Sequence, residues 1–295
     1  MPAALMMVLA SLLFATMGVA VKFASLHYST SEIVFYRGLI GATTMACLAR
    51  SRGISLRTAV PGMHFWRTAT GVCALSLWFY AISGLPLATA VTLNYMSSIW
   101  MALFLLGGAA LLGAARVDGR LVLAALLGFA GVALVLRPTI EHNQLWYGLT
   151  GLLSGLLSAL AYLQVGALGR AGEPEVRVVF YFSAGGIAAG AVGAVVGGWH
   201  GHTLAGLGLL AATGLLATAA QLLITRAYAI GGALVNASLQ YLGIVFSFGY
   251  GVWLFNDPVT WMALAGMLLI IGAGLAATLL RTQAAPQSAA PTGES

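Results

Sequence analysis

Ten apolar runs, each about long enough to cross a lipid bilayer, occupy most of this 295-residue chain. A spanning helix needs roughly 20 apolar residues. Charged residues make up 7% of the sequence, whereas soluble domains carry about 25%. The chain is therefore predicted to be an all-α integral membrane protein with ten transmembrane helices. The predicted spans cover residues 4–21, 32–49, 63–82, 88–114, 121–136, 146–168, 176–198, 204–228, 234–255 and 259–280.

The segments between these runs are too short to fold into a soluble domain. This excludes a receptor with a folded ectodomain, a membrane-anchored soluble enzyme and, despite a net charge of +6, a nucleic-acid binder. Cys47 and Cys73 both fall inside apolar runs, so they are predicted to be free thiols in the core. No motif indicates a metal or a cofactor, and neither is predicted.

The basic residues divide unevenly between the two sides that ten spans create. Lys22 and Arg137 lie toward the side opposite the N-terminus, with Arg37 some way into the second span. The positive-inside rule then predicts that both termini are cytoplasmic in a bacterial-type inner membrane. Residues 285–295 are predicted to form a disordered tail. The residues on the N-terminal side are Arg50, Arg52, Arg57, Arg116, Arg120, Arg170, Arg177, Arg226 and Arg281, with Arg67 just inside it.

All eight prolines lie at span boundaries or in the tails. Proline is the residue that most strongly interrupts a helix. The spans are therefore predicted to be continuous, with any site built from side chains between whole helices rather than from broken backbone.

The chain resembles itself after a shift of about 145 residues. YAISGLPLATAVTLNY from Tyr80 resembles YAIGGALVNASLQY from Tyr228, and GFAGVALVLR from Gly128 resembles GAGLAATLLR from Gly272. The predicted repeats are residues 1–140 and 141–284. Because each contains five helices, an odd number, the second copy must cross the membrane in the opposite direction. Such inverted repeats are typical of secondary transporters, although channels also contain them.

RGLIGAT from Arg37, FWRTATG from Phe65 and LATA after SGLP, within two five-helix halves, resemble the ten-helix EamA-type carriers of the drug/metabolite transporter superfamily. The resemblance covers residues 4–281 and implies membrane transport. Within that superfamily, the aromatic residues on the inner faces are similar to those of bacterial exporters of aromatic and other neutral amino acids.

Polar side chains inside a span tend to face another helix or a wet cavity. Asn236 and Gln240 share one stripe of the ninth span, and the repeat aligns Asn94 with Gln240 and Tyr95 with Tyr241. The alternative roles are hydrogen bonds between helices for the amides, and packing or interface anchoring for the aromatics. The predicted substrate-binding residues are Trp78, Asn94, Tyr95, Ser98, Tyr162, Gln221, Asn236, Gln240 and Tyr241.

Charged residues inside spans are costly and suggest function. Lys22, Glu32 and Arg37 are predicted to lie near the extracytoplasmic ends of the first two spans, as a gate or coupling site or as orientation and ion-pairing residues. No carboxylate is predicted at mid-membrane, so the sequence shows no acidic residue that could couple transport to protons or Na⁺. No Lys or Arg is predicted deep in the cavity, which favours a neutral substrate.

The sequence thus predicts a transporter, not an enzyme, that exports small neutral metabolites such as aromatic or other neutral amino acids by alternating access. The same-class alternative is a carrier or flippase for nucleotide-linked or lipid-linked sugars or for drugs. The alternatives from other classes are a channel and an intramembrane enzyme. The predicted partners are a small-molecule substrate and the lipid bilayer, with no nucleic acid. The oligomeric state stays open, and a monomer is compatible with the sequence.

Overall fold

The computed structural model describes residues 2–97, 144–230 and 239–284, together with residues 99–101, 103–104, 107, 120, 123 and 126–134. Within these residues all regular structure is helical. Ser98, Asn236 and the tail at 285–295 lie outside the described residues, so the predictions made for them stay predictions.

Nine helices are delimited in this part of the chain, and residues 126–134 are also helical. Where the start of a predicted span lies in the described residues, the helix starts within about two residues of it, as for the second and third spans. The helices are α1 (Ala3–Ala24), α2 (Thr30–Ser51), α3 (Pro61–Gly84), α4 (Leu87–Tyr95), α5 (Leu145–Arg170), α6 (Glu175–Gly197), α7 (Leu204–Ile230), α8 (Leu242–Phe255) and α9 (Trp261–Ala284).

Five helices of the described residues are long and apolar enough to cross a membrane. They are α1, α2, α5, α6 and the part of α7 from Leu204 to Tyr228. The described part of the chain is therefore helical, with five candidate membrane spans. The full set of ten spans stays a prediction.

Local signals in the sequence fix several helix ends. At the start of α2 the Ser29 hydroxyl accepts a hydrogen bond from the Glu32 backbone N–H, and the Glu32 carboxylate accepts one from the Ser29 backbone N–H, which forms a capping box. Pro61 occupies the first turn of α3, where a missing N–H costs nothing. Helix α8 ends at Asn256, whose backbone is left-handed (φ 49°). These signals set where the loops and their charged residues lie.

The helices pack in pairs that join the predicted first repeat to the predicted second repeat. Helix α1 packs against α7, α2 against α6, α3 against α5, and α4 against α8. Helices α2 and α6 approach each other closely because glycines of each helix lie against the backbone of the other. A Cβ at Gly38 would lie 2.7 Å from the Ile187 nitrogen, and one at Gly190 would lie 2.5 Å from the Phe35 nitrogen. Small residues thus let these two helices touch through their backbones.

Two predicted spans are locally tightened, although their backbone stays right-handed helical at both places. Met96 is a turn residue that follows α4, and Tyr241 is a turn residue that precedes α8. The Met96 N–H donates to the Leu93 carbonyl and the Ile244 N–H donates to the Tyr241 carbonyl, both three residues back. Proline positions do not mark such tightened turns, because any residue can make the three-residue hydrogen bond.

Candidate functional site

A buried cavity of about 60 Å³ lies among the helices and is lined from both predicted repeats. Small-molecule sites usually measure about 300–1,000 Å³, so a ligand needs the helices to move apart. The lining residues are Phe14, Arg37, Arg67, Gly71, Ala74, Leu75, Trp78, Asn94, Tyr95, Ser158, Ala161, Tyr162, Phe182, Gln221 and Gln240.

The structure brings six of the nine predicted substrate-binding residues to this cavity. A seventh, Tyr241, is buried and packs its ring edge-on against Tyr95, with the ring centroids 6.5 Å apart. Ser98 and Asn236 lie outside the described residues. The six that line the cavity are Trp78, Asn94, Tyr95, Tyr162, Gln221 and Gln240.

Two carboxamides of the lining are held by hydrogen bonds. Asn94 Nδ2 donates to Ser154 Oγ at 3.0 Å and to Ser158 Oγ at 3.1 Å, which ties α4 to α5. The Tyr228 hydroxyl donates to Gln240 Oε1 at 3.2 Å. Buried polar groups are expensive to leave unpaired, so these bonds fix the orientation of both amides.

Two arginines also line the cavity, and here the sequence prediction is wrong. Arg37 was expected near a membrane surface and Arg67 near the opposite one, with no basic residue deep inside. The two side chains are 4% and 3% exposed, and their guanidinium carbons lie 4.8 and 4.1 Å from the centroid of the Phe182 ring. Such cation-π contacts contribute roughly 0.5–2 kcal/mol each.

The reason for the error is the depth of these two positions. Arg37 and Arg67 each lie about two turns inside their helices, and a long side chain extends further still. A signal was present in the sequence. Arg67, Gly71, Ala74 and Trp78 follow one another at spacings of four, three and four residues, which places them on one helix face.

The buried atoms of the cavity wall that lack a hydrogen-bond partner are donors. Among the described residues, Arg37 Nε, Arg67 Nε and Nη1, and Trp78 Nε1 are buried without a hydrogen-bond partner. Neither arginine forms an ion pair within the same residues. Gly71 leaves room for the Arg67 guanidinium, because a Cβ at Gly71 would collide with Arg67 Nη1. The wall therefore presents positive charge and free N–H groups.

Ion pairs join the two predicted repeats at the end of the bundle where α1 ends and α2 begins, the α1–α2 end. Lys22 Nζ lies 3.1 Å from Asp257 Oδ1 and also donates to the Leu85 carbonyl. The Glu32 side chain is fully buried and accepts hydrogen bonds from the His200 backbone N–H and from its own capping box. Lys22 and Glu32, predicted as gate or coupling residues, thus bridge the repeats at this end.

A second cluster joins the repeats at the opposite end, where α2 ends and α3 begins, the α2–α3 end. The Glu173 carboxylate accepts hydrogen bonds from Thr58 at 2.8 Å and from Arg177 at 2.9 Å, and His64 Nε2 lies 3.0 Å from it. Burial of the Glu173 carboxyl raises its pKa, but the bonds from Arg177, His64 and Thr58 outweigh burial and hold that pKa below its usual value. This cluster was not predicted from the sequence.

The Glu173→Gln variant is expected to be less stable than the wild type at about pH 7. Because folding lowers the pKa of Glu173, the carboxylate stabilises the protein above its unfolded pKa of about 4.5, and the stabilisation is lost as the pH falls through the lower folded pKa. Thermal unfolding in detergent measures the loss of stability, because the melting temperature falls by about 2–4 °C for each kcal/mol lost. The difference should shrink below about pH 4.5. The partly exposed Glu175, two residues further on at the start of α6, is the matched control. An equal loss in Glu175→Gln, or a loss independent of pH, would contradict the assignment.

The fold is a helical bundle with candidate membrane spans around a cavity that both predicted repeats line, and the comparisons with known proteins identify the class as a membrane transporter. The chain belongs to the EamA-like transporter family, whose sequence profile matches residues 1–137. It is 34% identical to the pseudopaline exporter CntI of Pseudomonas aeruginosa over 92% of this chain and 94% of that one. It is 28% identical to a riboflavin transporter of Rhizobium johnstonii over 92% and 89%.

A solved crystal structure of a protein that is 20% identical superposes with a TM-score of 0.67. The match covers 96% of this chain and 99% of the other. At this identity the likeness shows the fold alone. Together with the family, it makes the chain a multi-pass membrane protein of bacterial transporter type.

Proposed function

We propose that this chain is an alternating-access exporter of the bacterial inner membrane that carries one small metabolite at a time through the central cavity. The main support for this proposal is the position of the cavity. Both predicted repeats line the cavity, and it lies between two clusters of ion pairs that join those repeats. Opening one cluster at a time would expose the cavity to one side of the membrane only. The basic loops support a cytoplasmic position for the α2–α3 end.

The packing supports two inverted five-helix halves, residues 1–140 and 141–284. In the proposed repeat α1 corresponds to α5, α2 to α6, α3 to α7 and α4 to α8. The contact between α1 and α7 is then equivalent to the contact between α5 and α3. In the same way, the contact between α2 and α7 is equivalent to the contact between α6 and α3. The α2–α6 and α4–α8 contacts join equivalent helices. The tightened turns near Tyr95 and at Tyr241 also fall at equivalent positions. A pseudo-two-fold axis in the membrane plane gives this pattern.

The proposed substrate is a metabolite of roughly amino-acid size. The carboxamides and aromatic rings of the wall suit a polar molecule with a flat or apolar part. The prediction of a strictly neutral solute rested on a cavity without basic residues, and Arg37 and Arg67 remove that basis. The likeness to the pseudopaline exporter makes pseudopaline the first candidate to test, with neutral amino acids as the second.

Counterflow in liposomes that contain only the purified protein tests this proposal. Vesicles loaded with an excess of unlabelled pseudopaline, or of one neutral amino acid, are diluted into a trace of the same labelled compound. A carrier predicts transient accumulation of label that saturates with concentration. Non-saturating flux without accumulation would indicate a channel. No flux of any compound by folded protein would contradict the proposed substrates.

Alanine substitutions in the cavity are expected to lower transport without unfolding the protein. Trp78→Ala, Tyr95→Ala and Gln240→Ala each remove a lining group, and we expect at least about a tenfold fall in counterflow, since 1.4 kcal/mol of lost binding corresponds to tenfold. Trp261→Ala is the control because this tryptophan is exposed at the start of α9. Normal transport by all three cavity variants would show that the substrate passes elsewhere.

A further inference from the structure

The two cavity arginines have no negative partner in the part of the chain that the structure describes. Arg37 comes from α2 and Arg67 from α3, and both guanidinium groups contact the same Phe182 ring. Every ion pair of the described residues lies at a helix end or in a loop, and none of these pairs includes Arg37 or Arg67. Among the described residues, the cavity therefore contains two positive charges without counter-charge.

A charged side chain inside a membrane protein persists where it is paired or faces a wet cavity on the substrate pathway. An aromatic face weakly attracts a cation but carries no net charge, so Phe182 cannot neutralise either arginine. Since the described wall offers no carboxylate, the missing negative charge fits the molecule that enters the cavity.

The free hydrogen-bonding groups of the wall point to the same chemistry. The unpartnered buried atoms at the cavity are Arg37 Nε, Arg67 Nε and Nη1, and Trp78 Nε1, all of which donate. The Gln240 carbonyl oxygen already accepts a hydrogen bond from Tyr228. A ligand that pairs these four buried atoms must supply acceptors. A carboxylate does so well, because its two oxygens match the paired N–H groups of a guanidinium.

We propose that the transported molecule is an organic dianion that carries two carboxylates, one for Arg37 and one for Arg67. One carboxylate would leave one buried arginine without counter-charge, whereas two neutralise both. The remaining wall, with Trp78, Tyr95 and Phe182, suits a carbon skeleton better than a bare inorganic anion. This inference rests on the proposed function in one respect, that the central cavity is the transport site.

Ligand binding to the purified protein in detergent tests the inference without any transport step. The probes are two matched series, glutarate with its monoamide and diamide, and phenylsuccinate with its monoamide and diamide. Within a series the size stays nearly constant while the negative charge falls from two to none. Isothermal titration is expected to show at least about a tenfold loss of affinity at each step. Inorganic phosphate serves as the anion without a carbon skeleton.

The variants Arg37→Gln and Arg67→Gln are each expected to remove the preference for the diacid over the monoamide. Arg170→Gln, at the exposed end of α5, is the matched control and should keep it. Equal affinity for diacid and diamide, binding of neither diacid, or phosphate binding as tight as that of the diacids would overturn the inference. Diacid binding without any counterflow would instead overturn the proposed function and leave the anion site standing.

Discussion

The Gly190→Leu variant is expected to leave almost no folded protein in the membrane. A Cβ at Gly190 would lie 2.5 Å from the Phe35 nitrogen and 2.7 Å from the Ser31 carbonyl oxygen. Both are backbone atoms of α2, so no side-chain rotation can relieve the clash, and the whole helix must move. The α2–α6 contact joins the two proposed halves, so its loss should separate them. Size-exclusion chromatography of the solubilised protein, detected through a fluorescent fusion, measures the folded fraction.

Gly197→Leu is the matched control for this variant. Gly197 lies in the last turn of the same helix, and a Cβ there would meet nothing within 4 Å. The control should elute as a single peak at the wild-type yield. A wild-type profile for Gly190→Leu would show that α2 and α6 do not pack through their backbones.

The Gly71→Leu variant is expected to fold but to lose nearly all transport, by roughly 100-fold. Gly71 lines the cavity, and a side chain there would displace the Arg67 guanidinium and press on the Phe182 ring, 3.1 Å from the new Cβ. These neighbours are side chains that can move, so overpacking should cost only about 1–3 kcal/mol of stability. The leucine would instead fill the space that the substrate needs. Counterflow and thermal unfolding, measured on the same preparation, separate the two effects.

Gly62→Leu provides the comparison for this variant on the same helix. Gly62 lies in the first turn of α3 with open space around it, so a leucine there should change neither transport nor folding. Wild-type counterflow by Gly71→Leu would mean that the substrate does not pass between Gly71 and Phe182.

The sequence predicted the positions of the helices well because apolar runs and turn residues act locally. Ser29 and Glu32 mark the start of α2, and Pro61 marks the start of α3. Six lining residues could also be predicted, since a polar side chain in lipid must face the interior and helical spacing tells which ones share a face. Asn94 and Gln240 follow from that argument together with the internal repeat.

The charge of the cavity could not be predicted in the same way. Arg67 is near enough to the end of its span to look like a loop arginine, and only the packing of α3 against α6 brings it to Phe182. The inter-repeat bonds of Glu173 likewise join residues more than a hundred positions apart. Such pairings depend on how helices meet in space, and periodicity within one helix carries no information about them.

Locking each end of the bundle in turn is the most direct test of alternating access. Cys47 and Cys73 are exposed on the helix surfaces and not in the core as predicted, so both are removed first. In that background, paired cysteines replace Lys22 and Asp257 at the α1–α2 end. A second pair replaces Thr58 and Glu173 at the α2–α3 end. The original side chains of each pair approach within 3.1 and 2.8 Å, so a short bis-methanethiosulfonate cross-linker, which attaches through disulfide bonds that reduction breaks, suits either site. Single-cysteine variants treated with the same reagent are the controls.

Counterflow is measured before cross-linking, after cross-linking and after reduction. The account predicts that either cross-link alone stops counterflow and that reduction restores it, because the cavity must open to both sides in turn. Counterflow that continues with both ends cross-linked would show that the substrate crosses without these ends opening, and would contradict the proposed mechanism.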